Sequence, residues 1–282
     1  MKIAFVGKGG SGKSSVSWLV TKVLEEAGHQ VLAVDADHNM DLAHVHGAVV
    51  DDAFPTLHRA HDRFRSEVGQ AEDRQWQNIV LDGRPLPTFR LSPKDDFTSS
   101  VTKTISPQLD LMVVGLGAHD VLFSSRCAHG HSAPLKYYLP LLQLNEHEYC
   151  VIDGVAGVDM MNFGLFVGAD AVVVVVEPHT NSLRVFTEVA RIAESSGVPV
   201  YALLNKTQPN ATNDTARAEV GEYLIGELPI DQGVLTYDYN QVKNSTKKEL
   251  LTALERIQQK SASSDSLERL RTFEQLRQQA RG

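Results

Sequence analysis

The 282-residue sequence predicts an α/β protein: a doubly wound, mostly parallel sheet with helices on both faces. Three features of the chain predict it. A short apolar run at residues 3–6 passes through a glycine-rich loop into a segment with apolar residues at helical spacing. Residues 171–177, AVVVVVE, are apolar up to the last position, as a strand covered on both faces demands. Strands expected at 31–34 and 149–153 both end in aspartates, at the carboxyl edge where open α/β sheets bind ligands.

The first strand delivers FVGKGGSGKSS at residues 5–15. Gly7, four residues, then Gly12-Lys13-Ser14 make a complete P-loop, GxxxxGK[ST]. The glycines Gly7, Gly9, Gly10 and Gly12 let the backbone N–H groups of the loop, from Lys8 through Ser11 to Ser15, come close to phosphate oxygens. The helix that follows adds partial positive charge at its start. Lys13 is expected on the β- and γ-phosphates, and the Ser14 hydroxyl on Mg²⁺. Val16, Leu19, Val20, Val23, Leu24 and Ala27 give that helix its apolar face, and Gly28 ends it. The same letters hold a dinucleotide fingerprint, Gly7-x-Gly9-x-x-Gly12, with Asp35 and Asp37 downstream, so an NAD site and an oxidoreductase are the rival reading. Lys13-Ser14 speaks against it, because a dinucleotide has no γ-phosphate for that pair to serve.

The second strand ends in Asp35-Ala36-Asp37, where Asp37 is placed to hold Mg²⁺ through water or to orient an attacking water. A helix N-cap is the plainer role for such an aspartate. Residues 50–108 read as an insertion on the nucleotide side of the sheet, with arginines alternating with acids and Pro85, Pro87 and Pro93 interrupting. The stretch 83–87 is expected to turn between short strands, and the arginines to form a solvated face. A strand at 109–114 leads to a loop with Cys127, His129 and His131, and residues 135–144 are helical around Pro140. The next strand ends in Asp153, with Gly157 four residues on, the order of a Mg²⁺-holding acid and a γ-phosphate-sensing N–H. A helix at 181–196 and a strand at 200–204 follow, the strand presenting Asn205-Lys206. From about residue 246 to 282 the chain is helical, with Leu267, Leu270, Phe273 and Leu276 at three-residue spacing. Docking is expected of this segment rather than membrane binding, because Glu268 and Glu274 dilute its basic face.

These bounds fit one P-loop domain over residues 1–282. The 42% apolar content is enough for a core, and the net charge of −8 disfavours DNA and anionic membranes as partners. Two cysteines imply no disulfide framework, and with the first residues reading directly as a strand no signal peptide is expected; a cytoplasmic location is expected.

Lys8, directly after the first glycine, is not needed by the phosphate cradle. KGGSGKS resembles the deviant P-loop of the MinD/ParA/nitrogenase-iron-protein superfamily. That resemblance implies slow, dimerisation-dependent ATP hydrolysis in a homodimer, with Lys8 acting across the interface on the partner's nucleotide. It implies Asp37 as the catalytic acid, Asp153 on the Mg²⁺ water shell and Asn205-Lys206 as a base-reading pair. No aspartate stands at residue 208, which favours adenine over guanine, and Pro229 flanks the base. Within the superfamily, GKGGSGK, VDADHN, VIDGVAG, VVVVVEPHTNSL and LLNK resemble CooC-type ATPases of carbon monoxide dehydrogenase maturation. That implies a client metalloenzyme or accessory protein and nickel handling. At that family's Cys-x-Cys motif this chain has Cys127-x-His129. Thiolate and imidazole at Cys127, His129 and His131 suit Zn²⁺ or Ni²⁺, shared between two chains, although such loops are often merely polar. A ParA/MinD-type positioning ATPase is the alternative.

Overall fold

The structure is a computed structural model and describes residues 1–37, 39–69, 75–115, 133–162, 164–208, 211–260 and 265–280. Its strands are β1 Lys2–Gly7, β2 Gln30–Asp35, β3 Phe89–Arg90, β4 Thr102–Ser106, β5 Leu109–Val113, β6 Leu142–Gln143, β7 Glu148–Asp153, β8 Ala171–Val176, β9 Val200–Thr207 and β10 Leu224–Pro229. Eight of them form one sheet in the order β10-β9-β8-β1-β7-β2-β5-β4, and β3 pairs with β6 apart from it. Every neighbour in the large sheet is parallel except β4, which runs antiparallel to β5 at the edge.

The helices are α1 Lys13–Glu26, α2 Asp41–Val45, α3 His61–Glu67, α4 Asn78–Leu81, α5 Asp96–Ser100, α6 Ala133–Leu141, α7 Asp159–Asn162, α8 Thr180–Ser195, α9 Ala211–Val220, α10 Gln232–Leu235, α11 Asn244–Lys260 and α12 Ser266–Gln279. They cover both faces of the sheet, and the period-2 alternation of the strands sorts the core accordingly. Ile3 and Phe5 face α1 and α11 in one apolar cluster; Ala4 and Val6 face α6, α8 and α12 in the other. The α8 helix shows how locally the elements are set: His179 caps its start by accepting the Ser182 N–H, Val189 and Ala193 sit on its buried side, and Gly197 turns out of its end with φ 68°.

Several expectations are corrected. Pro229, which the resemblance places in a loop flanking the base, ends the edge strand β10; a proline is tolerated there because its missing N–H is not needed on the outer side. The β9 strand runs through Thr207, so Asn205 and Lys206 lie inside it. Lys206 has φ 56°, and the register jumps from Leu228–Asn205 to Pro229–Thr207, which makes Lys206 the extra residue of a bulge. The 83–87 turn joins α4 to β3, not two strands. The insertion starts beside the carboxyl end of β5, where Leu57 N–H bonds Val113 O, and then packs an aromatic set into the core: Phe64, Phe89, Phe97 and Tyr138, with Trp76 against Phe64 and Tyr137. Its arginines stay at the surface, with Arg59, Arg63 and Arg84 exposed and Arg65 half-buried. Arg59 donates to the carbonyls of Asp51, Asp52 and Phe54, and Arg65 lies 4.4 Å over the Trp76 ring. Glu274, expected on an exposed face of α12, is buried and pairs with Lys136 while accepting from the Tyr137 hydroxyl.

Candidate nucleotide-phosphate site

The loop between β1 and α1 is shaped by what its glycines must avoid. Gly12 caps α1 in the left-handed region at φ 89°, and a Cβ there would stand 2.5 Å from Asn205 Nδ2. A Cβ on Gly7 would stand 2.6 Å from Val175 O of the neighbouring strand. Gly9 and Gly10 face open space. The loop is braced from the β9 bulge: Asn205 Nδ2 donates to Ser11 O at 2.8 Å, and Lys206 Nζ donates to Gly10 O at 2.6 Å while lying 3.5 Å from Glu177. The bulge therefore aims two consecutive side chains at one loop, which a regular strand would send to opposite faces.

Lys13 and three carboxylates meet at the carboxyl ends of β2 and β7. Lys13 Nζ donates to Asp37 Oδ2 at 2.8 Å and lies 3.8 Å from Asp153 Oδ1. Burial pulls the Lys13 ammonium down, but Asp153 and Asp37 more than offset this and hold it above its ordinary value. Burial pushes Asp153 up to about 6, against the pull of Lys13. Burial, and then the Asp153 charge, push Asp35 up to about 8, although Asp35 accepts the N–H groups of Ala43 and Asp37 at 2.8 and 3.2 Å. Asp35 thus braces the turn that carries Asp37 through these two backbone hydrogen bonds. Ser17 Oγ, not anticipated from the sequence, reaches Asp153 Oδ1 at 3.4 Å; one turn along α1 from Lys13 was the only signal for it.

Two buried side-chain oxygens at this site, Ser11 Oγ and Asp153 Oδ2, have no hydrogen-bond partner among the described residues. Unmet polar groups of this kind ask for a polar ligand. The donor set, a serine hydroxyl and carboxylates, is hard oxygen and suits Mg²⁺, and an ion that keeps several of its waters needs no closed cage of side chains. Ser14 and Asp153 would hold such an ion.

Gly157 N–H donates to Gly7 O at 2.8 Å, so it is committed to the loop backbone in this structure. Lys8 is half-buried, and its side chain makes no ion pair or hydrogen bond among the described residues. Next to the loop lies a cleft of about 120 Å³ with Gly12, Ser15, Asn205, Leu228, Pro229 and Leu235 in its walls, apolar enough to take a base. Cys127, His129 and His131 lie outside the described residues. Among the described residues no group of three or more His, Cys, Asp or Glu is placed to hold a metal ion, and no helix is long and apolar enough to cross a membrane.

A parallel sheet with a glycine loop at its carboxyl edge, a lysine between two acids and an apolar cleft alongside defines a P-loop nucleotide-binding protein. Residues 3–280 match the CobQ/CobB/MinD/ParA nucleotide binding domain, and the chain belongs to that family. Among its relatives, an uncharacterized ATP-binding protein of Methanocaldococcus jannaschii is 28% identical over 237 residues, covering 83% of this chain and 90% of that protein. The carbon monoxide dehydrogenase accessory protein CooC of Rhodospirillum rubrum is 24% identical over 242 residues, covering 84% and 87%. In fold, the chain is similar to the septum site-determining protein MinD from Pyrococcus horikoshii, solved with Mg-ADP, with a TM-score of 0.57 at 18% identity over 91% of this chain and 96% of that one.

Proposed function

We propose that this protein is an ATP-hydrolysing switch that dimerises on ATP and supports maturation of a metalloenzyme. The observation that carries the reading is Lys13 held between Asp37 and Asp153 at one end of the phosphate loop, with Lys8 unengaged at the other. A lysine already inside the cradle serves the β- and γ-phosphates, and a second one directly after the first glycine is not needed by them on its own subunit. It is available to a second copy. Asp37 would orient the attacking water, Asp153 with Ser14 would hold Mg²⁺, and the charge that develops on the transferred phosphoryl group would meet Lys13 and the loop N–H groups. Mg²⁺ supplies neutralisation of the phosphate oxygens.

Support for a maturation role comes from the relation to CooC, and support for adenine from the apolar cleft and the ATP-binding relative. A metal cargo at Cys127, His129 and His131 belongs to the same reading, and elemental analysis of wild type against Cys127→Ala/His129→Ala tests it: equal metal content removes it. A ParA/MinD-type positioning role is the second reading, favoured by the MinD-like fold, and ATP-dependent pelleting with DNA or liposomes would establish it instead. For the ATPase itself, Asp37→Asn is expected to keep ADP affinity and lose turnover by about 100-fold or more, the scale of a lost proton acceptor. Undiminished turnover would take Asp37 out of the mechanism.

A further inference from the structure

The cleft beside the phosphate loop is walled on one side by Leu235 of α10, and the return that follows α10 is not used by the site as described. Residues 232–238 form α10 and a tight return in which Asp238 N–H bonds Gly233 O at 2.9 Å. Gly233 is pressed so close to the backbone of Val242 that a Cβ would lie 2.3 Å from its nitrogen. The return leaves Tyr237 with φ 54°, a left-handed conformation that costs an aromatic residue about 1 kcal/mol or more. Its ring stands edge-on to buried Trp18 at 5.4 Å, and its hydroxyl lies 2.9 Å from Ser15 Oγ. The ring is held on one side by Trp18 while the residue stays 38% exposed, and the hydroxyl is brought to the one P-loop side chain that lines the base cleft.

Ser14 and Ser15 are consecutive on α1 and so diverge by about 100° around the helix. Ser14 lies on the side of Lys13 and the acids, 3.5 Å from Lys13 Nζ, while Ser15 lines the cleft. A nucleotide whose β- and γ-phosphates meet Lys13 and whose base enters the cleft must pass its α-phosphate beside Ser15. A phosphate oxygen only accepts, so Ser15 must donate to it, and its lone pair is then best filled by another donor.

We propose that Tyr237 is a nucleotide-positioning residue: its O–H donates to Ser15 Oγ and thereby turns the Ser15 hydrogen to the α-phosphate. The two hydroxyls form a chain in which each bond polarises the next. The proposal rests on the P-loop reading of the site but assigns it a residue from the far end of the sequence, 222 positions from Ser15.

Calorimetric titration of ADP with Mg²⁺ into wild type, Ser15→Ala, Tyr237→Phe and the double variant tests this. Tyr237→Phe keeps the ring on Trp18, so thermal unfolding should not shift. Its ADP affinity should fall about two- to tenfold, the span of one net hydrogen bond. The double variant should lose no more than Ser15→Ala alone, because Tyr237 acts only through Ser15. Wild-type affinity in Tyr237→Phe, or losses that simply multiply in the double variant, would overturn the proposal. Absence of ADP binding by the wild type would instead overturn the nucleotide reading on which it stands.

Discussion

At the scale of single residues, burial decides which groups stay charged. His46, just past α2, has its Nε2 3.1 Å from Thr21 Oγ1, while Thr21 donates that hydroxyl hydrogen to Trp18 O. The ring nitrogen must therefore be the donor, and Nδ1 is left buried without a partner among the described residues. Burial, and then the Lys22 charge, depress His46 to about 4, against the pull of Glu25. A histidine of depressed pKa is neutral in the fold but takes a proton in the unfolded chain below about pH 6.5. Its contribution to stability is thus complete above that pH and is lost as pH falls from about 6.5 toward 4. Urea melts across this range should show a declining midpoint, and His46→Gln should flatten the decline. An unchanged slope in the variant would place the proton uptake elsewhere. Because α2 follows the Asp37 turn directly, loss of His46 packing should also weaken the turn that Asp35 braces.

At the scale of elements, the phosphate loop and the last helix depend on contacts that only one residue type supplies. Gly12→Ala would need a left-handed alanine and would drive its methyl into Asn205. The first term alone costs about 1–2 kcal/mol, and relief by displacing Asn205 would unlatch Ser11. ADP binding should be lost or weakened by more than tenfold in calorimetry while the fold survives by circular dichroism; wild-type affinity would show that the latch is dispensable. On α12, Glu274 holds buried Lys136, Phe273 closes on Gly164, and Arg269 donates to Val167 O at 3.2 Å and to Ala169 O. Removing one partner of a buried pair costs about 3–5 kcal/mol, whereas replacing both with apolar residues is often neutral. Glu274→Ala should therefore destabilise strongly, and Lys136→Met/Glu274→Leu should recover most of the loss, as thermal or urea unfolding will show.

These elements also mark what the sequence discloses. The phosphate loop, Asp37, Asp153 and the central strands are legible because backbone geometry and phosphate chemistry restrict the letters at short range. The apolar run of β8 admits one reading. Asn205 and Lys206 were legible as a pair, but their inward aim depends on a register jump against β10, and β10 itself hides behind Gly226 and Pro229. Glu274 reads as a surface charge until α6 supplies Lys136 from 138 positions away. Tyr237 had no local signal at all, since its partner is brought up by the fold.

At the scale of the whole molecule, the net charge of −8 opposes the association of two copies. In the proposed dimer Lys8 meets the phosphates of the opposite subunit and offsets part of that repulsion. Sedimentation velocity with ATP in wild type and in Asp37→Asn, which should trap the ATP state, is expected to shift from one copy to two. Lys8→Ala should bind ATP about as tightly as wild type and lose the shift. If ATP leaves the wild-type sedimentation unchanged, the switch has no physical basis.

The docking of α12 has a consequence for the history of each molecule. Lys136 and the Phe166 side of the core emerge from the ribosome more than a hundred residues before Glu274 and Phe273, which cover them. During that interval the nascent chain lacks the Glu274 carboxylate and the Phe273 ring over this face and exposes an apolar surface, the condition in which chains adhere to one another. Lys2, whose ammonium is held by Leu139 O, Leu142 O and Ser266 Oγ, likewise waits for Ser266. The first strand to be made is among the last to be finished, and slower translation would lengthen the exposure of this face.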